Sequence, residues 1–367
     1  MQEKRVILLR VKEYSLSLLK QEIKKALDNF FSLDKMIKGN KVLLKPNLLT
    51  SVNPNYAITT HPVFVEAVGC VFKEKGLDVY IADNPSVFNT ETSVEKVYRE
   101  TQIEDLAYRN NFKLLYPSST YILEGIPFSK WSRDFTIINL PKFKTHNITI
   151  ITCAVKNLYG CISGAYKNIL HKLYPKTKDF IGLLLELYKL IKPTLSIVDG
   201  IVSLEGEGPA TGGVPRHTEF VAIGDDALCV DYAVSRIIGL SKDKNPLIRL
   251  AEAKGYFNSN SVKIVSESDF TVKDFKLPSQ FFVNNLPIFV IKMLSPFIKI
   301  YPKVNRDLCR GCNDCIKSCP LSAIVIKKQK AWIDYSKCIR CMCCFEVCRF
   351  KAIGIEKSFL LKIKDFL

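Results

Sequence analysis

Residues 309–320 read CRGCNDCIKSCP and residues 338–349 read CIRCMCCFEVCR, and the relation between these stretches decides how the chain is divided. Both carry the spacing Cys-x2-Cys-x2-Cys-x3-Cys. Cys309, Cys312, Cys315 and Cys319 recur 29 residues later as Cys338, Cys341, Cys344 and Cys348. The repeat runs past the cysteines: Ala323, Ile324 and Ile326 recur as Ala352, Ile353 and Ile355, and Val304 recurs as Ile333. Such a duplication implies two pseudo-symmetric halves, each too small to bury a core alone. Nine of the thirteen cysteines fall within 309–348, which points to metal ligation rather than a disulfide framework. Soft thiolates in this number suit iron–sulfur chemistry. Zinc would need two independent four-ligand sites, which the x3 spacing and the duplication disfavour.

Residues 304–357 resemble the bacterial ferredoxins that hold two 4Fe-4S clusters. In that pattern three closely spaced cysteines hold one cluster and the fourth ligates the other. The resemblance therefore implies cluster one on Cys309, Cys312, Cys315 and Cys348, and cluster two on Cys338, Cys341, Cys344 and Cys319. Pro320 follows the fourth cysteine of the first set as the pattern expects, but Arg349 stands there in the second. Arg349 would raise the potential of cluster one if it lies close, or would simply be solvated. Cys343 is a ninth cysteine inside the motif, read as a spare thiol, with alternative ligation as the other option.

The chain has 367 residues, 47% hydrophobic and 24% charged, which suits a folded protein of two domains. Its formal charge of +17 suggests anionic partners, among them an acidic redox protein or a small anionic molecule. No run of five like charges occurs, which argues against nucleic acid. The start, MQEKRVILLRVKEY, reads as a first strand, its apolar run being too short for a signal peptide. No stretch of 18 uninterrupted apolar residues suggests a membrane span, and a reducing, cytoplasmic setting is expected. The apolar stretch 281–303 is expected as a linker. Peripheral membrane contact through 281–301 and the tail 358–367 is the alternative, not the favoured one.

Residues 1–280 alternate apolar runs with amphipathic stretches. Strands are expected at 4–11, 41–48, 78–83, 135–142, 194–200 and 220–226. Helices are expected within 15–37 and at 61–76, 178–191 and 227–239. Strand and helix in alternation define an α/β domain with a mostly parallel sheet, followed by a small α+β ferredoxin-like domain. In such sheets ligands gather beyond the carboxyl ends of strands, where most polar clusters of this chain fall. All four histidines stand in them: His61, His146, His171 and His217. Lys45, Lys142, Lys144, Lys156 and Lys167 either form an electropositive cleft or are ordinary surface lysines. Asp83 and Asp199 end apolar strands as ligand contacts or as caps. The run EGEGPATGG (205–213) offers Gly206 and Gly208 for a backbone anion nest or a plain turn. GxxxxGK and GxGxxG are both absent, so no nucleotide or flavin fingerprint is present.

The order KPNL (45–48), TTHP (59–62), a strand ending at Asp83, PKFKTH (141–146), VKNLYG (155–160), Lys167-x3-His171, VDG (198–200) and EGEGP (205–209) resembles the family known as domain of unknown function 362. The resemblance spans roughly residues 4–270. It implies the α/β fold and a frequent C-terminal two-cluster ferredoxin domain, but no shared reaction. The leading expectation is an iron–sulfur oxidoreductase that relays electrons to or from an anionic substrate or cofactor. Lys45, Lys142, Lys144, His146, Lys156 and His171 would act on it, with Asp83, Asp199, Gly206 and Gly208 helping to bind. Two alternatives stand beside it: an electron carrier or complex subunit without a catalytic site, and a redox-sensing binding or maturation protein.

Overall fold

A computed structural model describes residues 3–85, 91–117, 119–164, 166–266, 270–279, 281 and 300–358. The strand Lys41–Pro46 (β2) shows how the sheet is built. Val42, Leu43 and Leu44 are all fully buried, as expected of a central parallel strand covered on both faces. Alternation sends Leu43 to one core and Val42 and Leu44 to the other, and Pro46 ends the run. Further strands are Lys4–Arg10 (β1), Asp78–Ile81 (β3), Lys113–Leu114 (β4), the small hairpin Thr120–Leu123 (β5) and Ile126–Ser129 (β6), Thr136–Leu140 (β7), Lys142–His146 (β8) and Ile150–Thr152 (β9). Leu195–Gly206 (β10), Gly213–Gly224 (β11) and Val262–Ser266 (β12) complete the domain.

Among the described residues the main sheet runs β12-β1-β11-β10-β7-β2-β3-β4, with β8 beside β10 and β9 beside β8. Only β11 and β9 run against their neighbours, so the sheet is largely parallel, as the alternating pattern predicts. Helices Leu16–Phe30 and Pro62–Glu74 cover one face, and Thr177–Ile191 and Ala227–Ile237 the other. The helix Pro62–Glu74 begins where expected: Pro62 needs no hydrogen-bond acceptor there, and His61 Nδ1 accepts Val63 N–H at 3.3 Å. β10 and β11 are longer than their apolar cores at 194–200 and 220–226. A register shift between Gly200 and Val202 lets their distal arms form a hairpin whose tip meets the C-terminal domain. There Ala210 joins the core of that domain, and a Cβ on Gly212 would lie 2.6 Å from the Phe345 ring.

In the C-terminal domain Ile300–Val304 (β13) pairs antiparallel with Ile353–Lys357 (β16), and Ile324–Lys327 (β14) pairs with Lys330–Ile333 (β15). The duplication has a structural meaning. Ala323, Ile324, Ala352 and Ile353 are all buried, so the two halves supply equivalent core residues. Residues 300–303, expected as linker, instead form the start of β13. Residues 282–299 and 359–367, most of the expected linker and tail, lie outside the described residues. No helix among the described residues is long and apolar enough to cross a membrane.

Candidate functional site

The strand succession reverses between β2 and β7. From β2 the chain proceeds to β3 on one side, whereas β7 is followed by β10 on the other. A crevice beyond the strand ends opens at such a point, and polar side chains fill it. Lys45 Nζ donates to Asp83 Oδ1 at 2.7 Å, and Asp83 Oδ2 accepts Leu48 N–H at 2.8 Å. Lys144 Nζ donates to Asn47 Oδ1 (3.0 Å) and to the Ile58 carbonyl (2.6 Å). Asn47 Nδ2 reaches Asn157 Oδ1 at 3.0 Å. Lys144 thus has only neutral acceptors, and burial first, then neighbouring lysines, bring its ammonium down to about 7 against the pull of Glu346 and Asp83.

A second group stands apart. Lys142 Nζ donates to Asp199 Oδ2 (2.9 Å) and Tyr14 OH (2.8 Å), while Tyr14 OH donates to Asp199 Oδ1 (2.8 Å). The His61 ring stacks on Tyr14 at 3.7 Å, and its backbone N–H reaches Asp199 Oδ2 at 2.9 Å. Lys142 and Asp199 face each other because they are register partners of β8 and β10. Asp199 spends both carboxylate oxygens on donors of this group and its own strand, and Lys142 spends two of its three N–H bonds here. The structure therefore separates Lys142 and Asp199 from the other candidates.

The remaining candidates converge on a cavity of about 60 Å³ between the sheet and the C-terminal domain. Asp83, Lys156, Lys167 and His171 line it from one side, and Cys343 and Glu346 from the other. The lysines are not surface lysines: Lys45, Lys144 and Lys167 are buried and Lys156 is half-buried. Lys167 Nζ donates to the carbonyls of Asn84 and Pro85, and burial brings it down to about 8. Lys156 Nζ sits 5.6 Å from the Tyr159 ring and has no hydrogen bond among the described residues. Burial lowers it too, against the pull of Glu346. His171 stacks on Phe180 at 4.7 Å, and burial lowers it to about 4, so it is neutral near pH 7.

His146 is beside the same wall. Its Nδ1 accepts Ile148 N–H at 3.0 Å, so the ring proton resides on Nε2. Nε2 lies 3.3 Å from Glu346 Oε1, an ion-pair distance without the alignment of a hydrogen bond. Burial pushes His146 down to about 3. Burial pushes the Glu346 carboxyl up, but His146, Lys156 and His171 outweigh that and hold it at about 2. Asn84 directs its amide nitrogen to Ser129 Oγ and Gly160 O, leaving a buried Oδ1 without a partner among the described residues. Asn157 and Tyr159 lie within the quoted run VKNLYG, of which the sequence reading takes only Lys156 as a candidate; Glu346 and Asn84 carry no spacing that marks them.

Gly206 and Gly208 do not form the expected anion nest. Gly206 N–H donates to Lys276 O at 2.7 Å and Gly208 N–H to Thr145 Oγ1 at 3.1 Å. Their amides are consumed in holding the hairpin against the domain. Arg349 is not simply solvated: its Nε lies 3.5 Å from Asp314 Oδ2.

The cysteines fall into two groups. Cys319, Cys338, Cys341 and Cys344 line a single cavity within the C-terminal domain. Cys315 lies in the field of Cys312, Cys348 and Cys309, and burial followed by these neighbours pushes its thiol up to about 12. A thiol held as Cys315 is resists ionisation without a cation beside it, which fits iron. Ala323 N–H points to Cys319 Sγ (3.2 Å), Ala331 N–H to Cys309 Sγ (3.4 Å) and Arg340 N–H to Cys338 Sγ (3.4 Å), donors of the kind that tune cluster potentials. Positive φ recurs at equivalent places, Gly311 with Arg340 and Asn313 with Met342, so both loops wrap alike. Among the described residues no three His, Cys, Asp or Glu side chains converge on one ion; a cage in which each thiolate takes its own iron has no such point.

A ferredoxin-type thiolate cage built against an α/β crevice defines an iron–sulfur protein of the electron-transfer class. Residues 301–349 match the family described as 4Fe-4S dicluster domain, and residues 42–236 match Domain of unknown function (DUF362). The chain belongs to the DUF362 family. It is 30% identical over 287 residues to the Thylakoid-associated protein sll1697 of Synechocystis sp. (strain ATCC 27184 / PCC 6803 / Kazusa), covering 75% of this chain and 88% of the other. It is also 36% identical over 59 residues to an uncharacterized protein in the rpl9-rpl11 intergenic region of Porphyra purpurea, covering 14% of this chain and 79% of the other.

Proposed function

We propose that the protein is an oxidoreductase in which two 4Fe-4S clusters exchange electrons with a small anion bound in the cavity at Lys156, Lys167 and His171. Cys309, Cys312, Cys315 and Cys348 would hold one cluster, and Cys319, Cys338, Cys341 and Cys344 the other. Bound there, the clusters supply electrons one at a time. The observation that carries the reading is the short helix Cys343–Glu346. It contains the ligand Cys344 and presents Cys343 and Glu346 to the cavity wall, so one element borders both thiolate cage and crevice.

Lys156 and Lys167 suit an anion that gains charge, against the carboxylate of Glu346 in the opposite wall. Lys156 offers an ammonium with no hydrogen bond of its own among the described residues, free to meet a carboxylate or phosphate oxygen. Asn84 Oδ1 accepts a donor from the ligand. Lys167, brought down to about 8 by burial, is a wall residue that can give a proton near neutral pH. The Lys45–Asp83 pair beneath fixes the floor, and Lys144 positions Asn47. A partner protein would load the clusters. The reading places the chain in a reducing, cytoplasmic setting, with the thylakoid association of the relative as the observation favouring peripheral membrane contact instead.

Anaerobic reconstitution should give about eight irons and eight sulfides per chain; fewer than about six irons would contradict two cubane sites. Reduced protein would then be screened for reoxidation by small anionic metabolites, wild type against Lys156→Ala and Lys167→Ala. Equal rates in all three would remove the proposed site.

A further inference from the structure

His171 belongs to two cavities. Beyond the one already described, it lines a larger space of about 250 Å³ bordered also by Asn147, Tyr174, Phe180, Arg340 and Cys341. Each of these contributes a distinct chemistry. Tyr174 is a half-buried aromatic wall, and behind it His171 stacks within 18° of parallel on Phe180, which is itself buried. Asn147 is 5% exposed; its Nδ2 donates to Gly208 O at 2.9 Å, leaving Oδ1 buried with no partner among the described residues. A buried carbonyl oxygen left bare is costly, and a ligand N–H or O–H would satisfy it. Arg340 is exposed, and its guanidinium has no hydrogen bond or ion pair among the described residues. Nothing in the oxidoreductase reading uses Arg340, Asn147 or Tyr174.

We infer that this cavity is a second ligand site, for a planar aromatic acid bearing a ring hydroxyl or N–H. The carboxylate meets Arg340, the ring lies against Tyr174, and the hydroxyl or N–H donates to Asn147 Oδ1. Because Cys341 is part of the wall, the bound acid lies against a cluster-two ligand, a consequence that rests on the cluster assignment above.

The probe is 4-hydroxybenzoate, titrated calorimetrically into the full-length, anaerobically reconstituted protein. The expected result is saturable one-site binding. It weakens roughly tenfold in Arg340→Gln, as for loss of a charge-assisted contact at an exposed position, and roughly three- to tenfold when benzoate replaces the probe. Lys156→Ala leaves it within about twofold. In dithionite-reduced protein, the probe shifts one of the two cluster EPR signals, and Arg340→Gln removes that shift at equal probe concentration. Absence of saturable binding in the millimolar range overturns the inference, as does binding indifferent to both Arg340→Gln and the ring hydroxyl. Loss of binding in Lys156→Ala also overturns it, because the acid then occupies the smaller cavity. The benzoate comparison uses unaltered protein, so misfolding of a variant cannot decide the result. Iron counted on the same samples reports the cluster assignment separately: a shortfall in iron counts against that reading, whereas calorimetry tests the site.

Discussion

Gly160→Ala should be among the most damaging single-methyl additions in this protein. Gly160 lies against the buried pair Lys45–Asp83, and a Cβ there would stand 2.3 Å from Asp83 Oδ1 and 2.5 Å from Lys45 Nζ. Both atoms must withdraw beyond 3.0 Å, the least that real Cβ contacts show. They cannot do so independently, since they form one 2.7 Å contact between side chains 0% and 5% exposed. Overpacking alone costs about 1–3 kcal/mol. Parting a buried pair leaves an uncompensated charge, which costs about 3–5 kcal/mol, so a total loss of at least about 3 kcal/mol is expected. The control is Gly182→Ala, within the helix Thr177–Ile191, where nothing lies within 4 Å of the added methyl. There helix propensity should add about 0.5–1 kcal/mol of stability. Urea midpoints followed by tryptophan fluorescence under anaerobic conditions compare the two. If Gly160→Ala unfolds at the same urea concentration as wild type, the buried pair is not packed against this glycine as described.

Asp199→Ala should cost about 3–5 kcal/mol by stranding Lys142 and Tyr14, measured by the same urea midpoint, while leaving iron content unchanged. Cys343→Ser should keep the full complement of about eight irons, whereas Cys319→Ser and Cys348→Ser should each impair one cluster, cluster two and cluster one respectively, seen as loss of different EPR signals. Stability should fall with acidification between pH 6 and 5. His61, His146 and His171 are held by burial to about 4, 3 and 4, below the value near 6.5 of the unfolded chain, so unfolding takes up about three protons in that window. Asp231, pushed up to about 7 by burial, is protonated in the folded state and offsets about one of them. The net of about two protons predicts a loss of roughly 2–3 kcal/mol per pH unit. Urea midpoints that stay constant from pH 6 to 5 would show that these histidines titrate normally in the fold.

The parts most legible from sequence were those whose physics is local. KVLLKP could only be a buried strand, and the duplicated cysteine spacing marked the C-terminal domain. The distal arms of β10 and β11 are not legible in the sequence because LEG and GVPRHT lack an apolar run; pairing with each other extends them. Lys142 and Asp199 read as strand-end charges in the sequence, but that they satisfy each other depends on the register of β8 against β10. Gly206 and Gly208 suggested a nest because sequence shows donors and not their acceptors; Lys276 and Thr145 are distant in the chain. Glu346 was invisible for a similar reason. Between Cys344 and Cys348 it resembles spacer, and only docking of two domains brings it to His146, some two hundred positions earlier.

On the proposed function, the helix Cys343–Glu346 would tie electrons to ligands thermodynamically. If the clusters and an anion sit as proposed, an electron arriving behind this helix would add negative charge next to the bound anion, so reduction and anion binding would oppose each other. Linkage makes the opposition reciprocal. An anion bound ten times more weakly to reduced than to oxidised protein would, at saturation, lower the potential of the adjacent centre by about 59 mV. Occupancy of the crevice would then set when the chain accepts an electron, and a potential measured with and without a candidate ligand would report binding before any turnover is known.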